Sequence, residues 1–551
     1  MPADTFFLTT AIDYTNGAPH IGHAYEKVLA DVLARYHRLK GDDVFYLTGV
    51  DQHGQKVQQS AEKEGVSPQT FVDRVTQKFL DLWEQLGVRY DEWAATTADK
   101  HKRIVRAILQ RLWDDKDPST GQNRWIYKAK LAGYYSVRQE QFLTDKERGP
   151  DGEFGPEWGQ VEFREEENYY FRLLEHKQWL LDLIDRRSQA GQPIVIPAFR
   201  VAELRNALEK LSGDLCISRP KARLDWGIPF PFDSEFVTYV WFDALVNYIS
   251  FAPGYDPAIS ADLHEFKHWW PALHVIGKDI LIPAHGIYWP IMLKALGFSD
   301  DEIPRFLVHG WWNISGEKMS KSLGNVVDPK ALADTYGAEA LRYYLMSDIS
   351  TGKDADFSEE RLLQRHKTDL SGGVGNLLNR SLTMAHKYRS GKLAKFQHPG
   401  GVNLEALANS YATEYRDRMD GKRTLPGGTS ETAEPYQVHA ALAAAFDLVT
   451  HCNQFIDAEK PWTLSKDDPR LDAVLYHLAD SLRIIAILIS PVLPIAGAKI
   501  AEQLGIPAVF RLSDARWGGL PDGHVVNQPV PIFPRIEAPQ GEKEQKDVKN
   551  P

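Results

Sequence analysis

Two short words far apart in the chain, His20-Ile21-Gly22-His23 and Lys318-Met319-Ser320-Lys321-Ser322, carry side chains suited to one task, the holding of phosphate oxygens. The histidines are spaced i and i+3. At a helix N-terminus that spacing puts both imidazoles on one face, beside the positive end of the helix dipole, where phosphate fits. Gly17 and Pro19 let the chain turn off a preceding strand, and Gly22 lets a purine or its ribose approach the backbone. In the second word, two lysines among small residues, with Gly316 and Gly324 as hinges, make a cationic loop able to close over a triphosphate. Alone, the tetrad reads as two surface histidines and the lysine word as a solvated loop. The tetrad gains weight because it follows a strand and opens a helix.

Amino-acid binding has candidates nearby. Asp51 lies just beyond a second strand on the same rim as the histidines, placed to pair with an α-ammonium, although a helix N-cap is the bland reading of such an aspartate. Trp241, Ala244, Leu245 and Tyr248 stand at i, i+3, i+4 and i+7 and, with Tyr14, suggest an aromatic cage for a thioether. By periodicity alone that stripe is ordinary core.

These residues need a sheet to position them. The first fifty residues read as a βαβ unit, with strands Phe6 to Ile12 and Val44 to Leu47 around a helix bearing Val28, Leu29, Val32, Leu33, Tyr36 and Leu39 on one face, capped by Gly41. Such a crossover puts both strand ends on one rim, where open α/β sheets bind nucleotides. Thr238 to Asn247, His274 to Gly277 and Phe306 to His309 are further buried strand candidates.

The chain has 551 residues, too many for one core, since single cores stop growing at about 250 to 300 residues. The expected organisation is α/β followed by all-α. Residues 1–112 and 232–312 form the two halves of a Rossmann-type parallel-sheet domain, split by a glycine- and aromatic-rich insertion at 113–231. A lysine-bearing loop and connector follow at 313–370, a helical bundle at 371–537, and a charged tail at 538–551 expected to be disordered. The Gly/Pro-rich stretch Lys392 to Pro435 reads as a surface loop or local insertion within the bundle.

The N-terminus lacks the basic and apolar regions of a signal peptide, and the apolar run Ile484 to Ala496 is interrupted by Pro491 and Pro494, so no membrane span and a cytoplasmic location are expected. A net charge of −11 leaves any nucleic-acid binding to local basic patches. The two cysteines, Cys216 and Cys452, read as buried apolar residues and cannot build a disulfide framework.

The order and flanks of the two words resemble class I aminoacyl-tRNA synthetases. The words between them resemble the methionyl-tRNA synthetases. In that family a strand ending in Ala-x-x-Tyr precedes the histidine tetrad, as Ala11-Ile12-Asp13-Tyr14 does here, while Val240-Trp241-Phe242-Asp243-Ala244 and Gly277-Lys278-Asp279-Ile280 are similar to its methionine and adenosine elements. The resemblance implies methionine contacts from Ala11, Ile12, Tyr14, Asp51, Trp241, Ala244, Tyr248 and His285, to which the stripe adds Leu245, and ATP contacts from Gly22, Gly277, Asp279, His309, Trp311 and Lys321. It makes His20, His23, Lys318 and Lys321 the catalytic set, Lys321 the more important lysine, with Mg2+ accompanying ATP. Between Asp279 and Trp289-Pro290 the chain is one residue longer than the family pattern.

The same resemblance assigns anticodon reading to Asn376, Arg380, Asn453 and Trp462, since unpaired bases stack on indole and hydrogen-bond to amides and guanidinium. Partners would be methionine, ATP and tRNA(Met), both initiator and elongator. Relatives often carry a zinc knuckle in the insertion, but Ser136 and Gln139 stand at its first Cys-x-x-Cys pair and are poor zinc ligands, so no structural zinc is expected. Packing of Tyr134, Tyr135 and Phe142 should hold the knuckle instead. No appended dimerisation module follows Pro534, which points to a monomer. Leucine-, isoleucine- and valine-specific relatives need a larger hydrolytic insertion, and the cysteine enzyme needs zinc-binding cysteines. A small HxGH nucleotidyltransferase would lack the lysine word, and a silent RNA-binding paralogue should have lost the histidines or lysines.

Overall fold

A computed structural model describes residues 4–536 apart from 137–140, 144, 150, 257–262, 319–325, 397–399, 401–402, 426 and 535. The strand Thr5–Thr10 pairs in parallel with Asp43–Asp51 on one edge and with Leu273–Gly277 on the other. Leu273–Gly277 pairs in parallel with Arg305–His309, and that strand with Val195–Ile196. Glu92–Ala95 flanks the far edge of Asp43–Asp51. Every pairing in this sheet is parallel, so its strand ends share a rim.

Successive residues of these strands enter different cores. Leu8, Tyr46, Val275 and Leu307 join one apolar cluster, while Phe7, Leu47, Ile276 and Val308 join another. Alternating side chains point to opposite faces of a strand, so both faces of the sheet are covered, as a parallel sheet requires. The helix Ile21–Lys40 covers one face and is buried along nearly its whole length, not on one stripe alone. Gly41 ends it in the left-handed region (φ 97°), donating to the carbonyls of Arg38 and His37. The helix Asp99–Asp114 lies in the other core.

Three expectations about elements are corrected. The second strand is longer than Val44 to Leu47 and ends on Asp51 itself. Thr238 to Asn247 is no strand: after Phe236–Thr238 the chain forms two short helices, Val240–Leu245 and Asn247–Ser250. Hydrophobic content could not separate helix from strand over so short a run. The stretch Lys392 to Pro435 is no simple loop either, because it holds the helix Leu404–Asp420 and a hairpin pairing Lys422–Thr424 with Ser430–Thr432. Its glycines and prolines stand outside that helix, which Asn403 caps by accepting from the Ala406 amide at 3.0 Å and Gly421 ends at φ 70°.

The insertion carries its own antiparallel sheet, with Ile126–Ser136 paired along Val161–Phe171. Ser136 is buried and donates from Oγ to the Trp158 carbonyl at 2.5 Å. Tyr135 is fully buried with the Arg164 and Arg223 guanidinium groups 4.5 and 4.9 Å from its ring centroid. Tyr134 is partly exposed, against Phe154 and Phe163; Gln139 and the Phe142 side chain lie outside the described residues. Cys452 is buried as expected, whereas Cys216 is only half-buried, close to Ser218 and Arg219. Val438–Glu459, Pro469–Ile489 and Pro494–Leu504 continue the helical region and share one core with Leu404–Asp420.

Candidate active site

The first strand does not end cleanly. It breaks at Ala11 and Ile12 and resumes as Asp13–Tyr14, still along the same edge of Asp43–Asp51 but one residue out of step, with Thr9 opposite Leu47 and Tyr14 opposite Asp51. Such a bulge re-aims side chains at the end of a strand. Here it turns Ala11, Ile12 and Tyr14 into a cavity of about 410 Å3 at the rim of the sheet.

At the next turn the two histidines of the tetrad cap each other's helix. His20 is the N-cap and its Nδ1 accepts from the Gly22 amide at 3.1 Å, while its own amide donates to Nδ1 of His23 at 3.0 Å. The rings lie 3.8 Å apart. With both Nδ1 atoms accepting, each neutral imidazole holds its proton on Nε2. A Cβ on Gly22 would come within 2.9 Å of His20 Cε1, so glycine there keeps the His20 ring in place.

Every methionine and ATP residue expected from the sequence lines this one cavity, apart from Lys321: Ala11, Ile12, Tyr14, Asp51, Trp241, Ala244, Leu245, Tyr248 and His285 on one side, and His20, Gly22, His23, Gly277, Asp279, His309 and Trp311 on the other. The four-residue stripe reaches it from two helices instead of one. His285 arrives through the wide turn Leu281–Tyr288, where the backbone of Ile282 is extended (φ −115°, ψ 127°). Tyr248 Oη donates to His285 Nε2 at 2.7 Å and His285 Nδ1 donates to the Ile280 carbonyl at 2.8 Å. That pair of bonds requires a neutral imidazole, and burial pushes its pKa down to about 4.

The lysine word meets the tetrad through its flanks. The hairpin Trp312–Ile314 and Glu317–Lys318 turns at Ser315-Gly316, beside the Trp311 and Trp312 wall of the cavity. On the far side of the word, the Val327 carbonyl accepts from the amide of Ile21 at 3.2 Å. The Lys318 side chain and Lys321 lie outside the described residues. Trp311 is steadied by Lys278 Nζ, 3.9 Å from its ring centroid.

Sequence reasoning missed the polar floor. Asp13 and Glu26 also line the cavity, and the buried Lys27 Nζ donates to Asp13 Oδ1 at 2.9 Å, Glu26 Oε1 at 2.8 Å and the Ala11 carbonyl at 2.8 Å. His309 Nε2 lies 3.1 Å from Glu26 Oε2. Asp13 Oδ2 is buried with no hydrogen-bond partner among the described residues. Burial raises the Asp13 pKa to about 7, even though the Lys27 charge opposes the shift. Part of the signal was available, since Glu26 and Lys27 are adjacent in the buried stretch that follows the tetrad, with Asp13 on the strand segment before it. Lys56, Asn247 and Trp312 are further lining residues that no motif marked.

A second candidate surface lies among the helices. Asn376 Nδ2 donates to Asn453 Oδ1 at 3.5 Å, and Arg380 pairs with Asp457 at 2.8 Å, joining the helices Asn376–Arg389 and Val438–Glu459. Trp462, just past the second helix, is 51% exposed. Asp457, the partner of Arg380, was not anticipated.

Comparison with known proteins agrees with this architecture. A family model described as tRNA synthetases class I (M) matches residues 6–151 and 158–382, and one described as the anticodon binding domain of methionyl tRNA ligase matches 429–549. The chain is 39% identical to a methionine–tRNA ligase of Deinococcus radiodurans over 99% of its own length and 76% of that protein's. It is 38% identical to that of Thermosynechococcus vestitus, covering 97% of this chain and 98% of the other. Among solved structures, the Mycobacterium tuberculosis methionyl-tRNA synthetase in complex with methionyl-adenylate superposes with a TM-score of 0.84 at 34% identity, covering 97% of this chain and 100% of that one.

Proposed function

The chain belongs to the class I methionyl-tRNA synthetases, and from that membership we propose what its cavity does. It activates methionine with ATP, forming methionyl-adenylate and pyrophosphate, and transfers the methionyl group to the 3′ end of tRNA(Met). The observation that carries this reading is the hydrogen bond from Ile21 to Val327, which ties the flank of the lysine word to the first turn of the histidine helix.

The carboxylate of methionine is ionised at neutral pH and attacks the α-phosphorus without a general base. Charge builds on the phosphate oxygens and on departing pyrophosphate. The Nε2–H groups of His20 and His23 donate to those oxygens, and Lys318 and Lys321 close over the triphosphate; each well-aimed donor is worth about 3 kcal/mol in such sites. Mg2+ enters with ATP as part of the substrate. Gly22, Gly277, Asp279, His309 and Trp311 receive the adenosine.

Asp51 pairs with the α-ammonium. Ala11, Ile12, Tyr14, Trp241, Ala244, Leu245, Tyr248 and the neutral His285 surround the side chain, where a thioether makes favourable contacts with aromatic edges. Asn376, Arg380, Asn453 and Trp462 read the anticodon of initiator and elongator tRNA(Met) alike. The sheet halves 1–112 and 232–312, the insertion 113–231, which lends Val195–Ile196 to the sheet edge, the connector 313–370 and the bundle 371–537 act as one monomeric enzyme, held together without structural zinc, in the cytoplasm. No helix of the described residues is long and apolar enough to cross a membrane.

Methionine-dependent ATP–pyrophosphate exchange tests the reading. Exchange with methionine and not leucine is expected, with charging of tRNA(Met) of both kinds; exchange with leucine alone overturns the substrate assignment.

A further inference from the structure

Behind the wall of the cavity a fully buried carboxylate is held between two imidazoles. Asp243 does not line the cavity, whereas Trp241, Ala244 and Leu245 of the same short helix do. Asp243 Oδ2 lies 2.7 Å from His53 Nδ1, and Oδ1 lies 2.7 Å from His101 Nε2. His101 Nδ1 is in turn 2.7 Å from Ser250 Oγ. Both imidazoles are buried. Four separate elements meet here: the turn after Asp51, the helix Asp99–Asp114, the helix Val240–Leu245 and the helix Asn247–Ser250.

A buried ionised carboxylate is costly unless its oxygens are fully bonded, and an apolar side chain would back a hydrophobic wall at lower cost. What the carboxylate adds is direction. One oxygen reaches the turn that carries Asp51, whose Oδ1 accepts from the His53 amide at 3.4 Å. The other reaches a helix in the second core. An ionised carboxylate only accepts, so His53 donates to Asp243 from Nδ1 and His101 from Nε2, and His101 reaches Ser250 Oγ through its other ring nitrogen. Burial opposes ionisation of Asp243, but attraction to His53 and hydrogen bonds from both histidines outweigh it and hold its pKa at about 2.

We propose that Asp243, His53 and His101 form a positioning triad that fixes the distance between Asp51 and the Trp241–Leu245 wall, and so sets affinity for methionine without setting affinity for ATP. The proposal rests on the assignment of Asp51 and Trp241 to methionine. The ATP half of the cavity is built from other elements, the first turn of Ile21–Lys40 and the ends of Leu273–Gly277 and Arg305–His309.

The test is steady-state pyrophosphate exchange by the full chain and by Asp243→Asn, His101→Leu and His101→Gln. Glutamine places an amide N–H near the position of His Nε2, so it keeps a donor to Asp243; leucine does not. Asp243→Asn and His101→Leu should raise the methionine KM 10- to 100-fold with the ATP KM within twofold, and His101→Gln should recover most of the loss. Should Asp243→Asn fail to fold, the His101 pair alone decides. A parallel rise in both KM values, an unchanged methionine KM, or equal impairment in His101→Gln and His101→Leu overturns the triad. Wild-type protein inert toward methionine would instead overturn the functional reading itself.

Discussion

Arg342 and Asp31 form a buried ion pair, Nη2 to Oδ2 at 2.7 Å, that fastens the histidine-bearing helix to the helical region. Asp31 lies in Ile21–Lys40, further along the helix from the tetrad, and Arg342 belongs to Ala338–Ser347. The rest of the guanidinium donates to the carbonyls of Leu86, Pro491 and Val492 at 3.1, 3.0 and 2.8 Å. Three separate stretches of chain thus converge on one side chain.

Replacing Arg342 by methionine keeps the bulk but leaves three carbonyls and part of the Asp31 charge unpaired. Removing one partner of a buried pair costs about 3 to 5 kcal/mol. Arg342→Met should lower the midpoint of the first urea transition clearly, and Arg342→Lys, which retains the charge but not the fork, should fall between. A wild-type midpoint for Arg342→Met would show that this fastening contributes nothing.

His20 does two jobs that a substitution can separate. Asparagine is a good N-cap, so His20→Asn keeps the helix start while removing the Nε2–H donor. Thermal stability should stay within about 0.5 kcal/mol of wild type while the exchange rate falls by about 100- to 1,000-fold. His20→Ala should lose the same activity and about 1 kcal/mol besides. Activity that follows stability across both variants would mean the histidine is only a cap.

The parts of this structure legible in the sequence are those with local signals. The tetrad and Gly41 declare themselves by residue type and spacing and stand at the two ends of one helix, whereas the Ala11 to Tyr14 segment is marked only by the family word, and its strand ends at Thr10 and not at Ile12. What stayed hidden depends on partners distant in sequence. Asp243 was visible only as part of a family word, because its partners His53 and His101 lie 190 and 142 residues away. The helix Leu404–Asp420 was obscured by counting Gly and Pro over the whole stretch, when the capping residues Asn403 and Gly421 already marked its ends. The two-helix path from Trp241 to Tyr248 was hidden for another reason: a kink at Val246 leaves the spacing of the stripe unchanged.

The anticodon role proposed for the exposed Trp462 and for Arg380 can be tested apart from the cavity. A base stacked on an aromatic ring is worth about 1 to 3 kcal/mol, so Trp462→Ala should lower kcat/KM for tRNA about 10- to 100-fold. Methionine-dependent exchange without tRNA should be unchanged. Arg380→Ala should act in the same direction, and its lost pair with Asp457, half in solvent, should cost little stability. Equal loss in exchange and charging would place these residues in general folding instead.

Asp13 makes stability depend on pH in a range where few other carboxylates change. Its pKa rises from 3.8 in the unfolded chain to about 7 in the fold, mainly through burial, with the Lys27 charge opposing and the Glu26 charge adding to the rise. A group that holds its proton more tightly when folded contributes most below the unfolded value, and that contribution is lost as pH climbs through the folded one. Asp13 therefore favours the fold below about pH 4 and progressively less up to about pH 7, a change of order a few kcal/mol. Asp13→Asn keeps the size and an acceptor for Lys27 but cannot ionise. Measured together from about pH 5 to 9, the wild-type melting temperature should fall relative to Asp13→Asn, and the gap should level off above about pH 8. Two parallel curves would show that Asp13 keeps one charge state throughout, and the raised value would then be wrong.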